Sequence, residues 1–255
     1  MRLSKILPPL KSLRRFCRDY SDRMAGENND DMKTNGEWLF LKEHAGQCKI
    51  VFDVGAHTGE WTELVLALNP SAVVHCFEPI QAMFELLQGR NFPGRVVLNQ
   101  QGLSSEKEEK DIYLGVQSLY PRAGLKTGWG VTSPGKAEKV HLIPLDDYCK
   151  ENRIPRIDLL KCDVEGHEYF VFRGAQEMIG AENILRIQFE YGGCNIDSRV
   201  LLKDIFEQFS GLHYSFYKIM PRGLERIEEY DQRLENFAYK NFVLLHHSIV
   251  DSAAG

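Results

Sequence analysis

The sequence reads as an α/β fold, a mostly parallel sheet with helices on both faces, and two observations predict it. Between Lys49 and Trp61 an apolar, β-branched run (Ile50, Val51, Phe52, Val54) gives way to Gly55 and Gly59 and then to a helical stripe of Trp61, Leu64, Val65 and Leu68. A buried strand, a tight glycine loop and an amphipathic helix in succession make the first turn of a doubly wound domain, where ligands bind outside the carboxyl end of the strand. The second observation is that strand-like and helix-like patterns go on alternating to the end of the chain, as parallel strands joined by helical crossovers require.

Taken in order, residues 1–25 are rich in Lys and Arg (Arg2, Lys5, Lys11, Arg14, Arg15, Arg18, Arg23), and Leu10, Leu13, Cys17, Tyr20 and Met24 recur at heptad-like spacing. That pattern predicts a basic amphipathic helix from about Pro9. Such a helix suits an anionic membrane surface, a partner subunit or packing on its own domain. The polar run Gly26 to Asp31 reads as a linker, so residues 1–35 form an extension and 36–250 the domain. Glu37 to His44 reads as a helix with Trp38 and Leu41 on its buried side. Ala72 to Glu78 is a second buried strand ending in an acid, followed by a helix with Ile80, Met83, Phe84 and Leu87 on one face. Arg95 to Gln100 is a third strand.

Asp111–Leu114 and Lys139–Ile143 read as two extra strands flanking a glycine-rich insertion near 115–136. With Tyr120 and Trp129 that insertion suits either a lid and acceptor platform or an unstructured excursion. Leu145 begins a short helix. Arg156–Ala175 holds a fourth strand and its helix, and Ile184–Gly192 is a fifth strand. A stripe of Leu202, Ile205, Phe206 and Phe209 marks another helix, Leu212–Met220 a sixth strand, and Lys240–His247 a last one.

Composition narrows the class. A chain of 255 residues, 43% hydrophobic, suits one α/β domain with a short extension, and its net charge of −5 leaves no global nucleic-acid footprint. The six cysteines (Cys17, Cys48, Cys76, Cys149, Cys162, Cys194) lack metal or framework spacing, which predicts free thiols in a reducing, cytoplasmic setting. No run approaches the roughly 20 apolar residues of a membrane span. Pro8 and Pro9 interrupt the only candidate signal-peptide core.

The loop at Gly55 selects among ligands. No Lys follows Gly59 as a Walker loop needs, and Gly55-x-x-x-Gly59 is not the Gly-x-Gly-x-x-Gly spacing of dinucleotide folds. Asp53 at the mouth of the turn would repel a pyrophosphate and attract a cation. S-adenosylmethionine, with a sulfonium, an ammonium and no phosphate, fits best. Glu78, about twenty residues on, is placed to accept hydrogen bonds from both ribose hydroxyls. Near the third strand's end, Asn99, Gln100 or Gln101 could supply an amide to the adenine. A second chemical stretch, Asp163-Val164-Glu165-Gly166-His167-Glu168, falls where the fourth strand meets its helix, with Glu190 ending the next strand. Titratable groups crowded at one strand end are costly unless paired or used. Helix capping by Asp163 would explain one of them.

In this order and spacing, VFDVGAHTGEW, FEP, QGLSS, LDDY and DLLKCDVEGHEYFVFRGA resemble the FkbM family of S-adenosylmethionine-dependent methyltransferases, over roughly Lys49–Gly192. The resemblance implies a Rossmann-like class I fold, with a mostly parallel seven-stranded sheet and a final antiparallel strand at Lys240–His247. It implies O-methylation of a hydroxyl on a sugar, glycan or secondary metabolite, with S-adenosylhomocysteine as product. Carried over, Asp53, Gly55 and Gly59 hold the methionine end, with Ala56, His57 and Thr58 in the same loop. Glu78 and Pro79 flank the ribose, Gln101 and Gly102 lie near the adenine, and Asp163 faces the methyl group. Cys162 stands where a small aliphatic residue is usual.

Asp163, Glu190 and His167 are the catalytic candidates, with Asp163 as base. A competing reading lets Asp163, Glu165 and Glu190 hold Mg²⁺ through oxygens; another is an inert binding module that keeps the cofactor pocket. A nucleic-acid methyltransferase acting on an exocyclic amine would carry Asn/Asp-Pro-Pro-aromatic where Asp163-Val164-Glu165 stands. The match Tyr214-x-x-x-Lys218 to dehydrogenases falls in a strand-like run. The implied partner is a small-molecule or glycan acceptor, with a membrane or subunit contact through the N-terminal helix and an oligomer both left open.

Overall fold

The computed structural model describes residues 7–93, 95–120 and 135–250. Its helices are α1 (Leu7–Ala25), α2 (Glu37–His44), α3 (Glu60–Leu68), α4 (Gln81–Gly89), α5 (Leu145–Asn152), α6 (Glu168–Arg173), α7 (Gln176–Gly180), α8 (Cys194–Ser198), α9 (Leu202–Gln208) and α10 (His247–Val250). Its strands are β1 (Ile50–Val54), β2 (Val73–Phe77), β3 (Val96–Asn99), β4 (Gly102–Leu103), β5 (Glu108–Tyr113), β6 (Ala137–Ile143), β7 (Leu159–Cys162), β8 (Arg186–Tyr191), β9 (Tyr214–Met220), β10 (Gly223–Ile227) and β11 (Lys240–His246).

One sheet runs β10-β9-β11-β8-β7-β1-β2-β3, and β4, β6 and β5 form a second, three-stranded sheet. Neighbours from β3 through β8 are parallel, whereas β11 is antiparallel to both β8 and β9. The architecture is therefore the doubly wound one expected, with one difference, an eighth strand. The final strand, β11, is antiparallel as expected, and it lies inside the sheet between β8 and β9. The eighth strand, β10, folds back on β9 as a hairpin. Gly223–Ile227 has no buried position, and an edge strand with no buried face leaves no apolar pattern to read. The two extra strands flanking the insertion pair antiparallel from Glu108↔Leu142 to Tyr113↔Ala137. The rest of the insertion, with Trp129, lies outside the described residues.

Strand alternation divides the core between the two faces of the sheet. Phe52, Leu160, Phe189 and Leu244 pack with Tyr148 of α5, Phe172 of α6 and Ile205 of α9. Their strand neighbours Val51, Leu159, Val243 and Leu245 face the other way, against Phe40 and Leu41 of α2, Trp61 and Val65 of α3, and Phe84 and Leu87 of α4. On α2 it is Phe40 that joins Leu41 in the core; Trp38 is only half-buried. Cys162 is fully buried, as an apolar filler should be.

The run read as a linker is packed against the sheet. Asn28 N–H donates to Tyr239 O at 2.9 Å. Lys240 Nζ donates to Ala25 O, and Glu27 lies 3.7 Å from Lys218 Nζ. Gly36, at φ 107°, passes so close to β9 that a Cβ there would lie 2.1 Å from Met220 O, so no other residue fits. These contacts make residues 26–36 a collar at the carboxyl edge of the sheet.

Candidate active site

A cavity of about 770 Å³ opens at the carboxyl ends of β1, β2, β7 and β8, within the range of small-molecule sites. Its walls include Val54–Thr58, Glu78–Ile80, Gly102, Leu103, Asp163–Glu165, His167, Glu190, Cys194 and Tyr239, with Asp30 and Met32 from the collar and Glu37 from the start of α2. The turn after β1 is shaped by Gly55, at φ 80°, where an added Cβ would lie 1.8 Å from Asp163 O. Only glycine lets the loops after β1 and β7 touch. Gly55 N–H and Ala56 N–H both donate to Phe77 O at 3.0 Å, which ties the loop to the end of β2.

Beneath this loop runs a buried polar layer. Asp53 on β1 and Lys161 on β7 are register partners, and Gln188 on β8 is the next residue in the row. Asp53 is fully buried; Thr62 Oγ1 donates to its Oδ2 at 2.7 Å and Lys161 Nζ stands 3.7 Å from its Oδ1. Lys161 Nζ also lies 3.1 Å from Asp163 Oδ2. From α2, Glu37 closes the layer, accepting from Gln188 Nε2 at 2.6 Å and Asn35 Nδ2 at 2.7 Å. Burial works against the charge on Lys161, but the surrounding carboxylates of Asp163, Asp53 and Glu37 outweigh it and hold the ammonium protonated.

Asp163 and Glu190 share one proton. Burial pushes Asp163 up, yet the Lys161 charge and hydrogen bonds from Glu190 and Lys161 more than offset it and hold the carboxyl below its usual range. Burial, followed by the Asp163 and Glu165 charges, pushes Glu190 well above its range. Glu190 is thus the protonated donor and Asp163 the carboxylate acceptor, the arrangement that two adjoining carboxyls adopt. Asp163, with its side chain 30% exposed, faces the cavity.

The remaining acids of the 163–168 stretch have other roles. Cys194 Sγ donates to Glu165 Oε2 at 2.9 Å. Glu168, fully buried, turns back so that Oε1 accepts from Val164 N–H at 2.9 Å and Gly166 N–H at 3.3 Å, and burial raises it to about 8. Capping by Asp163 does not occur, because α6 starts only at Glu168 with His167 in the cap position. His167 is 2% exposed and hydrogen-bonds through both ring nitrogens, Nε2 to Ser104 Oγ at 2.9 Å and Nδ1 to Tyr120 Oη at 2.8 Å. Burial lowers it to about 3, so the ring is neutral at physiological pH.

The structure brings most of the expected residues together. Gly55, Ala56, His57, Thr58, Glu78, Pro79, Gly102, Asp163, His167 and Glu190 all border the cavity. Asp53, Gly59 and Gln101 do not: Asp53 lies in the polar layer below, and Gly59 packs on Leu87 and Phe92. Asn99 donates to Cys76 O, and Gln100 hydrogen-bonds Gln81. Unforeseen cavity residues are Glu37, Trp61, Lys161 and Tyr239. Of these, only Lys161 carried a local signal, as a basic residue inside an otherwise apolar strand. Among the described residues, no three His, Cys, Asp or Glu side chains are arranged to hold a metal ion.

The methyltransferase FkbM domain model matches residues 53–240. The chain belongs to the FkbM methyltransferase family. Hexuronic acid methyltransferase AglP of Haloferax volcanii is 27% identical over 154 residues, 60% of each chain. The 2-O-methyltransferase NoeI of Sinorhizobium fredii is 26% identical over 194 residues, 69% of this chain and 76% of its own. A solved FkbM methyltransferase from Methylobacillus flagellatus KT aligns over 77% of this chain and 43% of its own, at 14% identity and a TM-score of 0.48.

The residues of this FkbM site fit S-adenosylmethionine. Glu78 ends β2 at the cavity, its Oε2 accepting from His57 N–H at 2.9 Å and its Oε1 from Ile80 N–H at 2.8 Å; each oxygen keeps a further lone pair for a hydroxyl donor. Burial pushes Glu78 up to about 7. Trp61 Nε1–H is buried on the cavity wall without a hydrogen-bond partner, a group that a ligand acceptor would satisfy. Carboxylates dominate the polar lining, which suits a cation and opposes a phosphate.

Proposed function

We propose that this FkbM protein transfers a methyl group from S-adenosylmethionine to a hydroxyl of a sugar or glycan. The carboxylate of Asp163 carries the proposal: it faces the cavity, is kept ionised by Lys161 Nζ at 3.1 Å, and accepts a hydrogen bond from the protonated Glu190. The cofactor supplies an electrophilic methyl group for in-line displacement. The chain's own residues align the acceptor, exclude water and take up the hydroxyl proton. Asp163 Oδ2 is held by Lys161, and the carboxylate accepts the proton as the hydroxyl oxygen attacks. The protonated Glu190 and the neutral His167 orient the wall around it, His167 through its bonds to Ser104 and Tyr120. The two relatives named for methylating a hexuronic acid and a 2-hydroxyl support a sugar acceptor.

Calorimetric titration of S-adenosylmethionine, combined with turnover on a panel of glycosides and uronic acids, tests the reading. Asp163→Asn is expected to bind the cofactor and to lose kcat by on the order of 10²–10⁴, the usual contribution of a general base. Unchanged turnover would remove Asp163 from that role. Lack of cofactor binding by the wild type would overturn the whole reading.

A further inference from the structure

Helix α1 leaves the domain at the rim of the cavity. Lys240, 3% exposed, donates through Nζ to Ala25 O at the end of α1, while Asn28 N–H bonds Tyr239 O at 2.9 Å. Tyr239, Asp30 and Met32 all border the cavity. From this anchor the helix projects outward, and every side chain from Ser12 to Cys17 is exposed. Leu13, Phe16, Tyr20 and Met24 are 57%, 66%, 59% and 56% exposed, half of the eight large apolar side chains so exposed among the described residues. Together with Cys17 they fall within a single stripe roughly 100° wide on the helix.

Charge indicates what covers that stripe. Residues 1–25 carry seven Lys and Arg against Asp19 and Asp22, a net +5, so with a whole-chain charge of −5 the remainder carries −10. An acidic body would be repelled by an anionic surface everywhere except at this helix. Self-association through the stripe would set two positively charged helices side by side. No described helix is long and apolar enough to cross a membrane. An amphipathic helix with an aromatic-containing apolar face and arginine flanks has the makeup of one lying in the plane of a bilayer.

We propose that α1 is a docking element for an anionic lipid bilayer, its apolar stripe entering the headgroup boundary and Arg14 and Arg23 meeting lipid phosphates. Because Lys240 and the collar fix the end of α1, docking sets the cavity rim at headgroup level. The proposal stands independently of methyl transfer.

Co-sedimentation of the full chain with vesicles, of phosphatidylcholine alone or with about one-third phosphatidylglycerol, tests it. The wild type is expected to pellet with anionic vesicles on the order of tenfold more strongly, and to be released at roughly 0.5 M salt. Phe16→Ser with Tyr20→Ser, and separately Arg14→Glu with Arg23→Glu, should abolish pelleting while leaving Tm unchanged. Equal binding to both vesicles, binding to neither, or binding retained by both double variants would overturn the proposal. A dimer detected by light scattering that Phe16→Ser with Tyr20→Ser dissolves would assign the stripe to a second copy instead.

Discussion

At Lys161 three carboxylates converge on one buried ammonium, and their positions explain why a lysine occupies the middle of an apolar strand. Asp53 holds it from the neighbouring strand, Glu37 faces it from α2, and Asp163 presents it to the cavity. Lys161→Met would leave buried carboxylates without their counter-charge, an expected loss of about 3–5 kcal/mol in chemical denaturation. It should also move the reaction's pH dependence. Without the ammonium Asp163 rises, so the acidic limb of kcat/KM shifts to higher pH, whereas Lys161→Arg should keep the limb in place. A limb that stays put in Lys161→Met would show that Lys161 does not set the ionisation of Asp163.

The turn between β7 and α6 is held by Glu168, whose Oε1 collects the N–H groups of Val164 and Gly166. Burial raises Glu168 from 4.5 to about 8 and Glu78 from 4.5 to about 7. Between those values the folded chain keeps protons that the unfolded chain has released, so this stabilisation is complete below about 4.5 and is lost as pH rises through 7 to 8. His167, lowered from 6.5 to about 3, acts in the opposite direction but only below 6.5. From pH 6.5 to 8 the ligand-free protein should therefore lose Tm, as followed by calorimetry. Glu168→Gln keeps the acceptor oxygen and should flatten that slope; an unchanged slope would place its source elsewhere. Tyr120 links this turn to the start of the insertion through His167, and Ser118 Oγ donates to Glu165 O at 2.9 Å. Ser118 and Tyr120 are thereby fixed to the turn that carries the catalytic candidates.

Across the whole molecule, thiol exposure separates α1 from the domain. All six cysteines are free, and only Cys17, on α1, is exposed. Titration of the native protein with an aromatic disulfide should detect one fast thiol, and six after denaturation. Cys17→Ser should remove the fast one alone. More than one fast thiol in the native protein would contradict the close packing of the sheet around Cys48, Cys76, Cys149 and Cys162. The same division between acidic body and basic helix distinguishes the cavity's chemistry from the surface that α1 offers.

The alternation of the main strands and helices, the glycine turn after β1, Glu78 at the end of β2 and the acidic turn after β7 were legible in the sequence, whereas β4, β10 and α8 were not. Each legible feature is written in near-neighbour spacing: a period of 2 or 3.6, a glycine pair, or an acid closing an apolar run. What only the tertiary structure decided depends on long-range contact. Asp53 and Glu190 point to the same face of the sheet, and the register between strands sets their heights: Asp53 lies level with Lys161 and Gln188 below the floor, and Glu190, two residues beyond Gln188, stands on the wall. Glu37 reaches Gln188 across 151 residues of chain. Tyr239 and the collar meet the site only because β11 inserts between β8 and β9. Local pattern specifies elements; the pairing of distant strands specifies which side chains share a cavity.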